Sequence, residues 1–246
     1  IQGLCEMMNI PYVGSGVLAS AVAMDKSFAK PIFASNGLSV ARGMVLTQQE
    51  WKSNQTEAMS RAVELGFPLF VKPARSGSAQ GVTVVRKAEQ FSRAMVDAYV
   101  YCDVSIVEKF IEGTELAVSV IDLGAGPMAL PAVEIEPVNG EFGYQERYTA
   151  GETNYYVPAR LSKSVLERAH QLAVEAHVAL GLRHLSRIDM IVDKKGTPWF
   201  LEANVLPGLT ETSLLPQAIL ANGNTLAEVY LGLVSATIQI GRASCR

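Results

Sequence analysis

Apolar and polar positions along the chain switch repeatedly between a helical period and a period of two. GVLASAVAMDKSFAKPIFASNG predicts one helix, with small apolar residues, Lys26 and Lys30 on successive turns, and Asn36-Gly37 as its end. TQQEWKSNQTEAMSRAVELG predicts a second, in which Thr47 and Glu50 have capping-box spacing and Gly66 is the stop. PLFVKPA and VTVV are strand patterns separated by the loop RSGSAQG; AEQFSRAMVDAYVY is a third helix, and VSIVEKFIEG, TELAVSVID and MALPAVEIEPV return to strand. GYQERYTAGETNYYVPAR has neither period, and a polar loop of that length in a compact domain usually has a function. SKSVLERAHQLAVEAHVALG predicts an amphipathic helix capped by Ser162 or Ser164, LSRIDMIVD and PWFLEANV are strands, and SLLPQAILANGNTLAEVYLGLVSAT closes the pattern as a helix. The alternation, without repeats or low-complexity stretches, predicts an α+β protein.

The last two strands carry an anomaly. If Lys195-Gly196 is a two-residue turn, pairing sets Asp189 opposite Glu202 and Arg187 opposite Asn204, all on one face. Ile188, Met190 and Val192 then share the other face with Leu201 and Ala203, which supplies a core side. Two carboxylates directly across a strand pair repel each other unless a cation lies between them. Carboxylates plus an amide oxygen, with no nearby His or Cys, suit a hard ion such as Mg²⁺. The alternative is a solvent-facing hairpin end whose charges have no such role, and a one-residue change of register would separate the pair.

Composition narrows the classes. With 246 residues, 49% hydrophobic and 18% charged, the chain can bury the core of one large domain or two modest ones. A formal net charge of −3 has no basic excess to track a phosphate backbone, so nucleic acid is not an expected partner. No apolar run reaches the roughly 20 residues that span a bilayer, and no leader pattern opens the chain, which predicts a soluble, cytoplasmic protein. Cys5, Cys102 and Cys245 lie far apart, without metal-ligand spacing, and are expected to be reduced thiols. His170, His177 and His184 have no partners at ligand spacing and are expected to be structural.

A phosphate ligand needs cations and backbone donors. Lys72 ends a strand just before ARSGSAQG, where Gly77 and Gly81 permit close backbone approach and Ser78 can donate. An ordinary hairpin turn explains that loop equally well, and Lys26 taken alone reads as a solvated helix lysine. In VEKFIEGTE, the backbone of Phe110 and Ile111 can meet an adenine edge while Glu115 reaches ribose hydroxyls. Taken together and in order, MDK, KPARSGSAQGV, VEKFIEGTE, ERYTAGETNYYVPA, RID and LEANVLPGLTETS resemble the D-alanine–D-alanine ligase family of the ATP-grasp superfamily, from about Pro11 to Thr237.

That resemblance implies two α+β lobes with ATP between them. Lys26, Lys72, Glu108, Lys109, Phe110, Ile111 and Glu115 match the family's nucleotide contacts, and Arg147 stands where many members have a phosphate-contacting lysine. Asp189, Glu202 and Asn204 match its ligands for two Mg²⁺ ions, with Mn²⁺ as the alternative cation. Arg187 and the Gly208 N–H match its oxyanion stabilisers, Ser213 and Leu214 its contacts to the second substrate's carboxylate, and Ser78 with Tyr148 the pair that closes a loop over the first. The implied reaction joins two D-alanines through an acyl phosphate for peptidoglycan precursors, in a homodimer. Rival readings are a D-alanine–D-lactate ligase, another ATP-grasp carboxylate–amine ligase, and a noncatalytic ATP-binding fragment.

The expected organisation is a remnant of an N-terminal α/β substrate domain over 1–25, a central lobe over 26–110, a C-terminal catalytic lobe over 111–239 and a non-native tail over 240–246. The start at Ile1, within a helix-like stretch, and the tail IGRASCR, which matches neither cap nor core, motivate the two outer assignments. The resemblance places the family's acidic residue for the first D-alanine's ammonium upstream of this chain.

Overall fold

The computed structural model describes residues 1–77, 79–137 and 153–243. Helices α1 (Gln2–Met7), α2 (Val17–Met24) and α3 (Lys26–Ser35) lead to strand β1 (Gly43–Thr47). Helices α4 (Gln48–Ser53) and α5 (Gln55–Leu65) follow, then β2 (Leu69–Pro73), β3 (Thr83–Val85), α6 (Phe91–Tyr99) and β4 (Val104–Lys109). The four strands form an antiparallel sheet in the order β1-β4-β2-β3. One face buries Leu69, Val71, Val107 and Val85 against Trp51, Phe91 and Met95.

A second sheet begins with β5 (Gly113–Ile121), β6 (Met128–Ala129), β7 (Val133–Pro137) and β8 (Thr153–Tyr156). Helix α7 (Lys163–Ala179) then precedes β9 (Leu185–Asp193) and β10 (Pro198–Asn204), and α8 (Leu214–Ala221) and α9 (Leu226–Ala243) finish the described chain. The order is β10-β9-β5-β7-β8, with β6 beside β5. Its two faces are both covered. Val118, Ile188, Met190 and Phe200 pack with α7 and with Phe33 of α3, whereas Ala117, Leu185 and Ile121 pack under α8 and α9. No helix among the described residues is long and apolar enough to cross a membrane.

Three predicted helices are each two. Asp25 breaks the first: its carboxylate accepts the Ser27 N–H at 2.9 Å, and the break frees the Lys26 N–H to donate to Ala74 O at 3.0 Å. The Thr47–Glu50 capping box forms, but Asn54 stops that helix and caps the next by accepting from Glu57 N at 3.0 Å; Gly66 ends it at φ +78°. Asn222-Gly223 divides the last, and Thr225 and Glu228 cap each other reciprocally. In each case a short polar side chain outcompetes the continuing helical ladder. MALPAVEIEPV similarly yields β6 and β7 rather than one strand.

The β9–β10 hairpin shows a compensated departure. Its loop has three residues, Lys194-Lys195-Gly196, not two: the Gly196 N–H donates to Asp193 O at 2.9 Å and Gly196 takes φ +80°. The Asp193 carboxylate accepts from the N–H groups of Lys195 and Thr197, which favours this turn followed by a left-handed glycine. Near the loop the pairs are therefore one residue off, with Pro198 opposite Val192 and Phe200 opposite Met190. A β-bulge between Phe200 and Glu202 then restores Glu202 opposite Asp189 and Asn204 opposite Arg187, as expected. The bulge also corrects one expectation: Leu201 does not join the core face but lines the cleft beside Glu202, while Phe200 takes the core position.

Candidate active site

Between the two sheets lies a cleft of about 690 Å³, within the range of small-molecule sites. From the first sheet it receives Lys72, Phe70 and Val84, with Val82 just before β3; from the second, Glu115, Ile135, Asp189, Ile191, Leu201 and Glu202. Lys26 reaches it from α3, and Phe110 and Ile111 line it where the chain passes between the sheets. One part of the wall is apolar, with the Phe70 and Phe110 ring centroids 5.0 Å apart and the rings tilted by 31°. The other part carries charged side chains of both signs, among them Lys26, Lys72, Glu115, Asp189 and Glu202.

The charges follow from strand geometry. Across the second sheet, Ala117, Asp189 and Glu202 form one row, and Ser119, Arg187 and Asn204 the next. Arg187 and Asp189, two apart on β9, share a face, and the guanidinium donates to both carboxylate oxygens at 2.7 and 2.8 Å. Burial opposes the charged guanidinium, but Asp189, Glu202 and Glu115 outweigh it and hold the Arg187 pKa above its ordinary value. Glu202 meets Lys26 Nζ at 2.8 Å, and the same ammonium donates to Ser76 O at 3.0 Å. The break at Asp25 thus positions Lys26 against the Ala74–Ser76 loop through both main chain and side chain.

Beneath Lys72 lies Glu108, 1% exposed, which accepts from the ammonium groups of both Lys72 and Lys30. Burial pushes the Glu108 pKa up, but Lys72 and Lys30 overcome that and pull it down to about 2. Arg75 ties the same corner together, bridging Asp25 at 3.2 Å and Asp103.

Of the residues expected to hold a nucleotide, Lys26, Lys72, Phe110, Ile111 and Glu115 line the cleft. Glu108 supports Lys72 from below. The Lys109 side chain turns elsewhere, donating to Gly66 O at 2.7 Å, so any part of Lys109 facing a nucleotide is main chain. Asn204 stands beside Arg187 with its amide oxygen accepting from Leu206 N at 3.0 Å, which leaves that oxygen a second lone pair. Gly208 and Ser213 adjoin at the β10–α8 corner, where a Cβ on residue 208 would lie 2.5 Å from Ser213 Oγ. Ser213 occupies the N-cap position of α8, and Leu214 is its first residue. Ser78, Arg147 and Tyr148 lie outside the described residues.

A family model of the D-ala D-ala ligase C-terminus matches residues 32–235. The chain belongs to the D-alanine–D-alanine ligase family. A D-alanine–D-alanine ligase of Pelotomaculum thermopropionicum is 41% identical over 241 residues, covering 97% of this chain and 76% of that protein. One from Anaeromyxobacter dehalogenans is 44% identical over 217 residues, covering 88% of this chain and 68% of its own length. Among solved structures, the VanG D-Ala:D-Ser ligase of Enterococcus faecalis superposes with a TM-score of 0.85 at 31% identity, covering 96% of this chain and 68% of that one. The D-alanine–D-alanine ligase of Bacillus anthracis complexed with ATP gives 0.82 at 28% identity, covering 99% and 75%.

The expected family and its α+β, ATP-grasp fold are therefore found. Sequence reasoning missed that Lys30 shares Glu108 with Lys72. Lys30 was visible as one turn beyond Lys26 on the same helix, but its partner Glu108 is 78 residues away. Arg160 was also missed; it pairs with Glu134 at 2.6 Å and Glu136 at 2.8 Å and stacks on Tyr156, tying β7 and β8 at the cleft edge.

Proposed function

We propose that the protein joins two D-alanines to give D-alanyl-D-alanine, at the expense of ATP, for peptidoglycan precursor synthesis. Membership of the ligase family supports this reading. The observation that carries it is the meeting of Asp189 and Glu202 from one sheet with Lys72 from the other in a single cleft. Enzymes of this family use ATP and Mg²⁺. Among the described residues no three His, Cys, Asp or Glu side chains converge as a metal cluster, but two adjacent carboxylates and the Asn204 amide oxygen are the hard donors that Mg²⁺ takes when phosphates complete its shell. Bound there, Mg²⁺ neutralises charge on the nucleotide's phosphates.

In this reading the apolar wall around Phe110 and Ile111 holds the base, Glu115 the ribose hydroxyls, and Lys26 and Lys72 the phosphates. The carboxylate oxygen of the first D-alanine takes the γ-phosphoryl group of ATP, giving an acyl phosphate and ADP. The amine nitrogen of the second D-alanine attacks the acyl carbon and gives up a proton to solvent, and phosphate leaves with the electron pair of the broken C–O bond. Catalysis of such a step is chiefly positioning and charge stabilisation. Arg187 and the Gly208 N–H face the developing oxyanion, while Ser213 and the N-terminus of α8 at Leu214 hold the second carboxylate. Ser78, Arg147 and Tyr148 take the roles that the family resemblance assigns them over the first substrate and the phosphates.

D-alanine-stimulated phosphate release from ATP, with the dipeptide identified by mass spectrometry, tests the proposal. ATP binding without such release supports the noncatalytic reading, and release that requires D-lactate or D-serine supports a ligase with a different second substrate. A homodimer in the cytoplasm, without nucleic acid or membrane partners, completes the reading and is checked by sedimentation and cell fractionation.

A further inference from the structure

On and behind the floor of the cleft, the ammonium groups of Lys26, Lys30 and Lys72 meet the carboxylates of Glu202 and Glu108. Lys26 and Glu202 form one pair. Lys30 and Lys72 share Glu108, each donating to a different oxygen of it. Lys30 and Lys72 are each 8% exposed and Glu108 is 1% exposed, so water screens this group little. Two ammoniums and one carboxylate sum to a net charge of +1. Such an excess is costly in a buried place, where a one-to-one pair or apolar side chains would serve stability better. Burial, followed by Lys72 and Lys26, indeed pushes the Lys30 pKa down against the pull of Glu108.

The three residues differ in what they can touch. Lys72 lines the cleft, whereas Lys30 and Glu108 stand behind it. Lys72 and Glu108 belong to neighbouring strands of the first sheet, but Lys30 comes from α3, whose Ala29 and Phe33 pack in the core of the second. A Glu108 paired with Lys72 alone would cancel the charge of the cleft-lining lysine. Drawn also toward Lys30, it cancels only part of it.

We propose that Lys30 is a positioning residue for ATP: by sharing Glu108 it leaves a net positive charge at Lys72 and holds that ammonium toward the nucleotide's phosphates. The proposal rests on the nucleotide-binding reading of the cleft. It assigns Lys30 no contact with substrate, and it explains why a buried site keeps two lysines on one carboxylate.

The test compares wild type, Lys30→Met, Lys30→Gln and Lys30→Arg as full chains, with calorimetric titration of MgATP and of adenosine, which lacks phosphates, and with thermal melts without ligand. Lys30→Met and Lys30→Gln are expected to weaken MgATP binding about tenfold, leave adenosine affinity unchanged, and melt no lower than wild type. Lys30→Arg is expected to restore MgATP affinity. Unchanged MgATP affinity in Lys30→Met and Lys30→Gln would overturn the proposal, as would an equal loss for MgATP and adenosine accompanied by a lower melting temperature. Lys30→Gln retains a hydrogen-bond donor and decides the matter if Lys30→Met fails to fold. Wild-type protein that binds no MgATP would instead overturn the nucleotide reading, and this proposal with it.

Discussion

Asp189 stands directly across the β9–β10 ladder from Glu202, and each carboxylate holds a different cation: Arg187 at 2.7 Å and Lys26 at 2.8 Å. The repulsion expected between facing carboxylates is thereby offset within the protein, and both remain beside the cleft. Two cationic side chains and a hard-oxygen pair form an alternating set, which a polyanion with its metal ion can enter by exchanging partners.

Asp189→Ala separates stability from metal binding. Asp189 is 1% exposed, and its loss leaves the partly buried Arg187 without its bidentate partner. Removing one member of such a pair costs about 3–5 kcal/mol, measurable as a lower urea midpoint. Glu202→Gln is expected to cost less, because Lys26 also donates to Ser76 O and Glu202 is partly exposed. Both variants are expected to lose Mg²⁺-dependent ATP binding; binding with undiminished Mg²⁺ dependence in both would contradict the assignment.

Glu108 predicts an acid limit to stability. Its pKa falls from an ordinary 4.5 to about 2 because Lys72 and Lys30 outweigh its burial. A depressed carboxylate stabilises the fold above its unfolded pKa, and that contribution is lost as the pH falls from about 4.5 through about 2. The loss is on the order of 3 kcal/mol. Urea titrations of wild type and Glu108→Gln should therefore differ most above pH 4.5 and converge toward pH 2.

His177 adds a second, separable slope. It is buried on α7, hydrogen bonded to Ser186 Oγ at 2.8 Å, and burial pushes its pKa from 6.5 down to about 4. The unfolded chain then takes up a proton that the native state refuses, so stability falls as the pH drops from 6.5 to about 4. His177→Gln should flatten this interval in chemical denaturation while MgATP affinity stays as in wild type. A loss of nucleotide affinity would give the residue a role that its position does not.

Gly208→Ala is expected to damage ligation without unfolding the protein. The added Cβ would come within 2.5 Å of Ser213 Oγ and 3.1 Å of Ser213 Cβ, so the Ser213 side chain beside this exposed glycine must turn or give way. A displacement of this kind costs on the order of 100-fold in kcat when it misplaces a reacting group. Ser213→Ala should relieve the contact, so the double variant is expected to lose less than the two single losses combined. Full additivity would show that the two residues do not share a site.

How far the sequence reached depended on the range of the interaction. The period of two placed Arg187, Asp189, Glu202 and Asn204 on one face, and the capping signals at Thr47 and Gly66 were legible because each is satisfied within a few residues. Breaks at Asp25, Asn54 and Asn222 were harder to see, since apolar periodicity continues through them and only the competing side-chain caps or turns interrupt the ladder. The hairpin was read with the right pairs from the wrong turn, because the bulge at Leu201 added back the residue that the longer loop removed.

By itself, then, the sequence determined the α+β alternation, the ordered motifs of an ATP-grasp ligase and the facing carboxylates, all of which are encoded in local spacing or in motif order. Only the tertiary structure decided which cations those carboxylates hold, that Lys109 turns to Gly66, and that Lys30 and Lys72 divide Glu108 between them. The Lys72–Glu108, Lys109–Gly66 and Lys30–Glu108 contacts join residues 36, 43 and 78 positions apart, and Lys26 meets Glu202 from farther still. Such pairings are set by the packing of α3 and two sheets around one cleft, and burial makes them consequential by removing the water that would otherwise screen them.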